Sequence, residues 1–131
     1  MKRKKKDYTV IIGCGRLGAT IANTLSDEKK NVMVVDSDED SLRKLSSSFA
    51  GQTYVGDASD YFVLDEINLK KANVVIVVTH KDNLNIMLAQ IAKEIYHVER
   101  VIARLYDPER MLFTRNLVLR QYIQLILNLN S

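Results

Sequence analysis

Along this chain, short runs of apolar, mostly β-branched residues alternate with stretches in which apolar residues recur every three or four positions. "DYTVII" at 7–12, "NVMVVD" at 31–36, "QTYVGD" at 52–57, "ANVVIVVT" at 72–79 and "RVIAR" at 100–104 are of the first kind and predict buried strands. Between them, Leu17, Ile21 and Leu25 mark a helix over 16–26. "SLRKLSS" at 41–47 predicts a short helix capped by Asp38 or Asp40, and "YFVLDEI" at 61–67 one capped by Ser59 or Asp60. A long helix is expected to start at Asp82 or Asn83 and run to 96, with Asp82 and Asn85 as capping and helix-surface residues. "DPERMLFTR" at 107–115 has Asp107 at a cap position and Pro108 at the first helical position, where its missing N–H costs nothing. The tail is open between a sixth strand near 122–127 and part of a docking helix.

Strand and helix in strict alternation predict an α/β protein: a Rossmann-like doubly wound parallel sheet of five to six strands with helices on both faces. The strand at 72–79 is the most apolar, which places it centrally. With 131 residues, no repeat and no linker, the expectation is a basic disordered tail over 1–7 and a single domain over 8–131.

The turn after the first strand carries the most chemistry. In "VIIGCGRLG", Gly13, Gly15 and Gly18 stand at G-x-G-x-x-G spacing between a strand and a helix, the context that a dinucleotide cradle demands. Gly13 permits the tight turn, Gly15 leaves room for a pyrophosphate, and Gly18 lets the helix pack on the sheet. The helix N-terminus offers free N–H groups to phosphate. Asp36 ends the second strand, 18 residues after Gly18, and suits the two hydroxyls of an adenosine ribose. The same carboxylate repels a 2′-phosphate, so NADP is disfavoured. Arg16 stands beside the cradle, open to phosphate oxygens or a subunit contact. Cys14 reads either as a small filler or as a thiol of lowered pKa at a helix N-terminus.

Charge changes the picture little. The net charge is +3, but five of the 19 basic residues lie at 2–6, which leaves 14 against 16 acidic in the rest. The body is not a basic nucleic-acid binder. The run at 2–6 is expected to be a solvated tail, with contact to anionic lipid or an acidic partner as the alternative. No apolar run approaches the roughly 18 residues of a membrane span, and no apolar stretch follows the basic N-terminus as in a secretory signal. The lone cysteine fits a cytoplasmic setting.

Catalytic apparatus is harder to find. His80 and His97 are the two histidines, and neither has an acid or nucleophile partner at a telling spacing. There is no Cys/His cluster for a metal and no G-K-[ST] loop for phosphoryl transfer. No catalytic residue and no metal site are assigned.

Three further segments carry a resemblance. "GDASD" at 56–60 is similar to the G-D-A-[ST] signature of RCK/KTN (TrkA-N type) domains, the cytosolic nucleotide-binding modules of Trk- and Ktr-type potassium uptake systems and of some potassium channels. "VTHKDNLNIMLAQIAKE" at 78–94 resembles the family's strand end, D-x-x-N and long helix. "RVIARLYDPE" at 100–109 resembles its fifth strand with a terminal arginine followed by D-P-E. The resemblance runs from about Tyr8 to Arg115, and it rests on the order and spacing of these segments together.

It implies an adenine nucleotide, NAD(H) or ATP/ADP/AMP, bound without turnover. Gly13, Gly15, Arg16 and Gly18 would face phosphate, with Cys14 and Leu17 in the same loop. Asp36, with Ser37 beside it, would hold the ribose. Asp57 and Ala58 would flank the adenine, Thr79 would line the floor with His80 next to it, and Arg104 would approach the ligand or a subunit boundary. Asp57 reads equally as a turn residue, Thr79 as a strand end and Arg104 as a surface residue.

The resemblance further implies a homodimer or higher ring that gates a membrane potassium transporter or channel subunit, at the inner face of the cell membrane. Met87, Ile91 and Met111 are candidate contacts, or else core. The family's glycine after the D-P-E helix is missing from "NLVLRQYIQLILNLN", and its C-terminal ligand-binding domain is not expected here. The alternative function is a small NAD-dependent oxidoreductase, or a fragment of one, built around His80.

Overall fold

A computed structural model of the chain describes residues 7–106. The helix expected at 107–115, the tail after it, Met111 and the basic run at 2–6 lie outside the described residues.

The five apolar runs form five parallel strands of one sheet: β1 (Thr9–Ile12), β2 (Val32–Asp36), β3 (Gln52–Val55), β4 (Val74–Val77) and β5 (Arg100–Ala103). Their order is β3-β2-β1-β4-β5. The chain therefore winds outward from β1 to β3, crosses back, and continues from β4 to β5, which is the doubly wound arrangement. β1 occupies the middle, while β4, expected at the centre, is interior between β1 and β5. Its run of valines reports burial on both faces, which any interior parallel strand needs, and does not fix its rank in the sheet.

Side-chain alternation feeds two cores. Val10 and Ile12 of β1, Val75 and Val77 of β4 and Val101 and Ala103 of β5 point to one face, where α2 (Tyr61–Glu66) and α3 (Asp82–Gln90) cover them with Val63, Leu64 and Leu88. Ile11, Val32, Val34 and Ile76 point to the other, under Ala19 and Ala22 of α1 (Arg16–Asp27). The interior strands β2, β1 and β4 are thus covered on both sides, whereas β3, expected as a buried strand, is an edge strand with Gln52, Thr53 and Val55 exposed, because only one neighbour covers an edge.

The connections are less regular than their periodicity suggests. The segment expected as a helix over 41–47 is a 3-10 helix, Glu39–Lys44, and Asp38 caps it by accepting from Asp40 N at 3.0 Å. A second 3-10 turn, Leu69–Lys71, follows α2. The long helix from Asp82 passes into a π-helical segment, Ile91–Ile95, capped by Tyr96, and His97 just beyond it has a φ of 55° that turns the chain toward β5. Met87 is 39 % exposed on this helix, whereas Ile91 packs against the core.

Asp60 caps α2, with Oδ1 accepting from Phe62 N at 3.0 Å. A six-residue helix has little cooperativity of its own, so Asp60→Ala should cost about 1 kcal/mol, read as a lowered urea midpoint at unchanged slope.

Candidate functional site

The sheet reverses its winding between β1 and β4, and in open parallel sheets ligands bind beyond the carboxyl ends of the strands at such a point. A cleft of about 320 Å³ lies there. Its walls are Gly13 and Gly15 after β1, Asp36 and Ser37 after β2, Asp57 and Ala58 after β3, and Thr79 and His80 after β4. Four separate strand ends thus converge on one concavity. That convergence is what the spacing of these residues along the chain could not display.

The glycine turn is rigid. Gly13 has φ of +106°, a region closed to most side chains, and its N–H donates to Val35 O at 2.8 Å. A side chain on Gly13 would also meet Val78 and Thr79 backbone atoms at 2.9 Å. Gly18 packs its α-carbon against the Gly13 carbonyl, so α1 lies close on the turn. At Gly15, the cap of α1, the space where a Cβ would stand is bordered, among the described residues, only by the His80 ring, Nε2 at 3.4 Å. Among the described residues no side chain caps α1, and its first internal bond is Ala19 N to Gly15 O at 2.9 Å. The N–H groups of the first turn therefore face the cleft end of the helix without an intrahelical acceptor.

Asp36 does more than face the cleft. Its Oδ2 accepts from Cys14 N at 2.7 Å and its Oδ1 from Asp38 N at 2.8 Å. One carboxylate thus ties the glycine turn to the loop after β2. Each oxygen keeps a second acceptor position, so a pair of ribose hydroxyls fits the same group.

Asp57 accepts from Ser59 Oγ at 2.7 Å and Ser59 N at 2.9 Å, and these bonds hold its carboxyl below the usual range. It is both a turn residue and part of the cleft wall. Ala58 is buried in the core behind it.

Cys14 is placed differently. Its thiol is buried among Ile11, Ala19 and Val34 on the α1 side, and only its backbone N–H serves the site. Burial, and then the Asp36 carboxylate, push the thiol pKa up, opposite to the lowered value considered for a helix N-terminus. The filler reading holds.

Asn85 overturns its expected place on the helix surface. It is 0 % exposed. Its Oδ1 accepts from Thr79 Oγ1 at 2.5 Å and Thr79 N at 3.1 Å, and its Nδ2 donates to Thr79 O at 3.1 Å and Arg104 O at 2.9 Å. Thr79 Oγ1 also accepts from Lys81 N at 3.2 Å. Asn85 thus joins the ends of β4 and β5 beneath the cleft. Asp82, expected as a cap, is buried and accepts from Tyr106 N at 2.7 Å, while the cap position itself falls to Lys81.

A second cavity, about 400 Å³, adjoins the cleft through Gly15 and His80. Arg16, Leu17, Lys44 and Arg104 line it with Tyr106, and among the described residues no acidic side chain does. Arg104 lies over the Tyr106 ring, 4.2 Å from its centroid. Lys44 borders both cavities, a role that its place in a short amphipathic segment did not advertise.

A family model, the TrkA-N domain, matches residues 9–124. The chain is 41% identical over 103 residues to the Trk system potassium uptake protein TrkA of Streptomyces coelicolor, covering 79% of this chain and 46% of that protein. It spans about half the length of the first curated relatives it matches. Among solved structures, the Kef CTD of Shewanella denitrificans in AMP-bound form superposes with a TM-score of 0.69 at 19% identity, over 91% of this chain and 67% of that one. The GsuK channel bound to NAD superposes with a TM-score of 0.69 at 23% identity, over 85% of this chain and 19% of that one. At these identities the structures show the fold. The match of the family model over most of the chain carries the relationship: this protein belongs to the TrkA-N domain family.

Proposed function

We propose that the cleft binds an adenine nucleotide without turning it over, and that its occupancy sets the state of a membrane potassium uptake system. The observation that carries this is the convergence of the Gly13–Gly15 turn, Asp36 and the open end of α1 on one cleft at the reversal of the sheet. Phosphate would lie on the N–H groups of the first α1 turn, with Arg16 at hand; Asp36 would take the ribose; Asp57 and Ala58 would flank the base. Kinship supports the partner: the relatives are named as Trk potassium uptake components, and solved neighbours are described with AMP or NAD bound.

Among the described residues no helix is long and apolar enough to cross a membrane. A nucleotide-responsive module of this kind acts through a partner at the inner membrane face, as a dimer or ring. Arg16 and Met87, both exposed, are the residues we place toward a neighbouring subunit. Regulation requires that two assembled states bind nucleotide with different affinity. The oxidoreductase alternative depends on His80, whose ring nitrogen faces the Tyr106 hydroxyl rather than a carboxylate.

Melting the protein with NAD, NADH, ATP, ADP and AMP in parallel tests the reading. A ligand present at 100 times its Kd should add about 2.7 kcal/mol of stability. Asp36→Ala should weaken that ligand at least about tenfold, the loss of charge-assisted bonds to two hydroxyls. A chain that none of the five stabilises would overturn the proposal.

A further inference from the structure

His80 stands between the two cavities. Its Nδ1 is 3.3 Å from Tyr106 Oη, and its Nε2 is the atom nearest the open space at Gly15. The ring is thus held at one nitrogen and presents the other to the place where phosphate would approach the backbone.

Its surroundings are strongly charged from every side. Arg16 comes from α1, Lys44 from the end of the 3-10 helix, Arg104 from the end of β5, and Lys81 from its own loop. Asp36, Asp38 and Asp57 line the same cleft, and buried Asp82, which borders a further cavity with His80, accepts from the Tyr106 N–H. A phosphate at the glycine turn would place an anion beside Nε2, and such an anion favours the imidazolium and accepts its N–H in a charge-assisted bond.

We propose that His80 is a phosphate-binding residue of the cleft, and that a nucleotide takes up a solvent proton on this imidazole as it binds. The proposal rests on the nucleotide reading above and deepens it: occupancy, and whatever the module controls, then depends on pH near neutrality. Histidine is the side chain whose ordinary titration, near about 6.5, falls in that range.

Calorimetric titration of AMP and of NAD, each in two buffers of different ionisation enthalpy, counts the protons taken up. Phosphate groups of the nucleotide titrate too, so the quantity that matters is wild type minus His80→Gln, in which that contribution cancels. The wild type should take up a larger fraction of a proton than His80→Gln near pH 7. Its Kd should rise about tenfold between roughly pH 6 and pH 8, the equivalent of one pK unit of coupling, while His80→Gln stays nearly flat apart from any phosphate titration. His97→Gln, at the exposed turn after the π-helical segment, should behave as wild type. Binding with equal proton uptake in wild type and His80→Gln overturns this proposal and leaves the nucleotide reading standing. Failure of NAD, NADH, ATP, ADP and AMP alike to bind the wild type at any of these pH values overturns the two together.

Discussion

Gly18→Ala should destabilise the fold and abolish nucleotide binding in one step. A Cβ at this position would overlap the Gly13 carbonyl oxygen, and it would stand 3.0 Å from the Gly13 carbonyl carbon and 3.3 Å from Val78 Cγ2. The methyl group meets backbone, so no rotamer change relieves it. Nor does the turn yield easily: Gly13 holds a φ of +106°, its N–H is bonded to Val35 O, and Cys14 N is bonded to Asp36. The opposing term is helix propensity, which favours alanine over glycine by about 1 kcal/mol inside α1. Overpacking costs about 1–3 kcal/mol where side chains adjust, and a clash with fixed backbone belongs at or above the top of that range. The net expectation is a loss of about 2 kcal/mol, seen as a lower urea midpoint. α1 must also withdraw from the turn, which moves its N–H groups off the phosphate position, so AMP and NAD binding should vanish even where the variant is folded. A Gly18→Ala protein as stable as the parent would mean that α1 does not pack on the turn as described.

How much of this was legible beforehand varies with the range of the interaction. The interior strands were legible because burial on both faces leaves continuous apolar runs, and Asp60 because a cap acts within three residues of itself. The G-x-G-x-x-G turn and Asp36 could be paired from their order along a β-α-β unit, since that unit has one hand and one way to return. Three features were not legible. The 3-10 character of Glu39–Lys44 depends on how Leu42 and Leu45 reach the sheet, which periodicity over six residues does not encode. Lys44 borders the cleft because that segment folds back over the end of β2. Asn85 was assigned to the surface on its polarity, and only the meeting of β4 and β5 under α3 supplies the four partners that let an amide be buried.

Asn85→Ala should be the other severe substitution, and through a different physical route. The amide spans the ends of two strands, with three bonds to Thr79 and one to Arg104 O. A net contribution of about 1 kcal/mol per bond, with a further penalty for buried backbone groups left unpaired, gives about 3–5 kcal/mol. Thr79 is only half-buried, so water can replace part of what its hydroxyl loses, and the lower end, about 3 kcal/mol, is the expectation. Asn85→Asp should be no milder: it keeps Oδ1 but gives up both N–H donors and buries a charge against two carbonyls. The two variants separate the amide's shape from its hydrogen bonds, since aspartate nearly conserves the first and loses half of the second. Both should loosen Thr79 and Arg104 relative to each other, which opens the floor of the cleft and displaces the wall of the second cavity. Amide hydrogen exchange at Thr79 and Arg104 should accelerate more than at Val10 or Ile11 in the centre of β1, because the damage is local to the strand ends. A loss below about 1 kcal/mol in Asn85→Ala, with exchange unchanged at those two amides, would mean that Asn85 does not join the strands. The chain ends of β4 and β5 would then be held by the sheet ladder alone, and the floor of the cleft would owe nothing to α3.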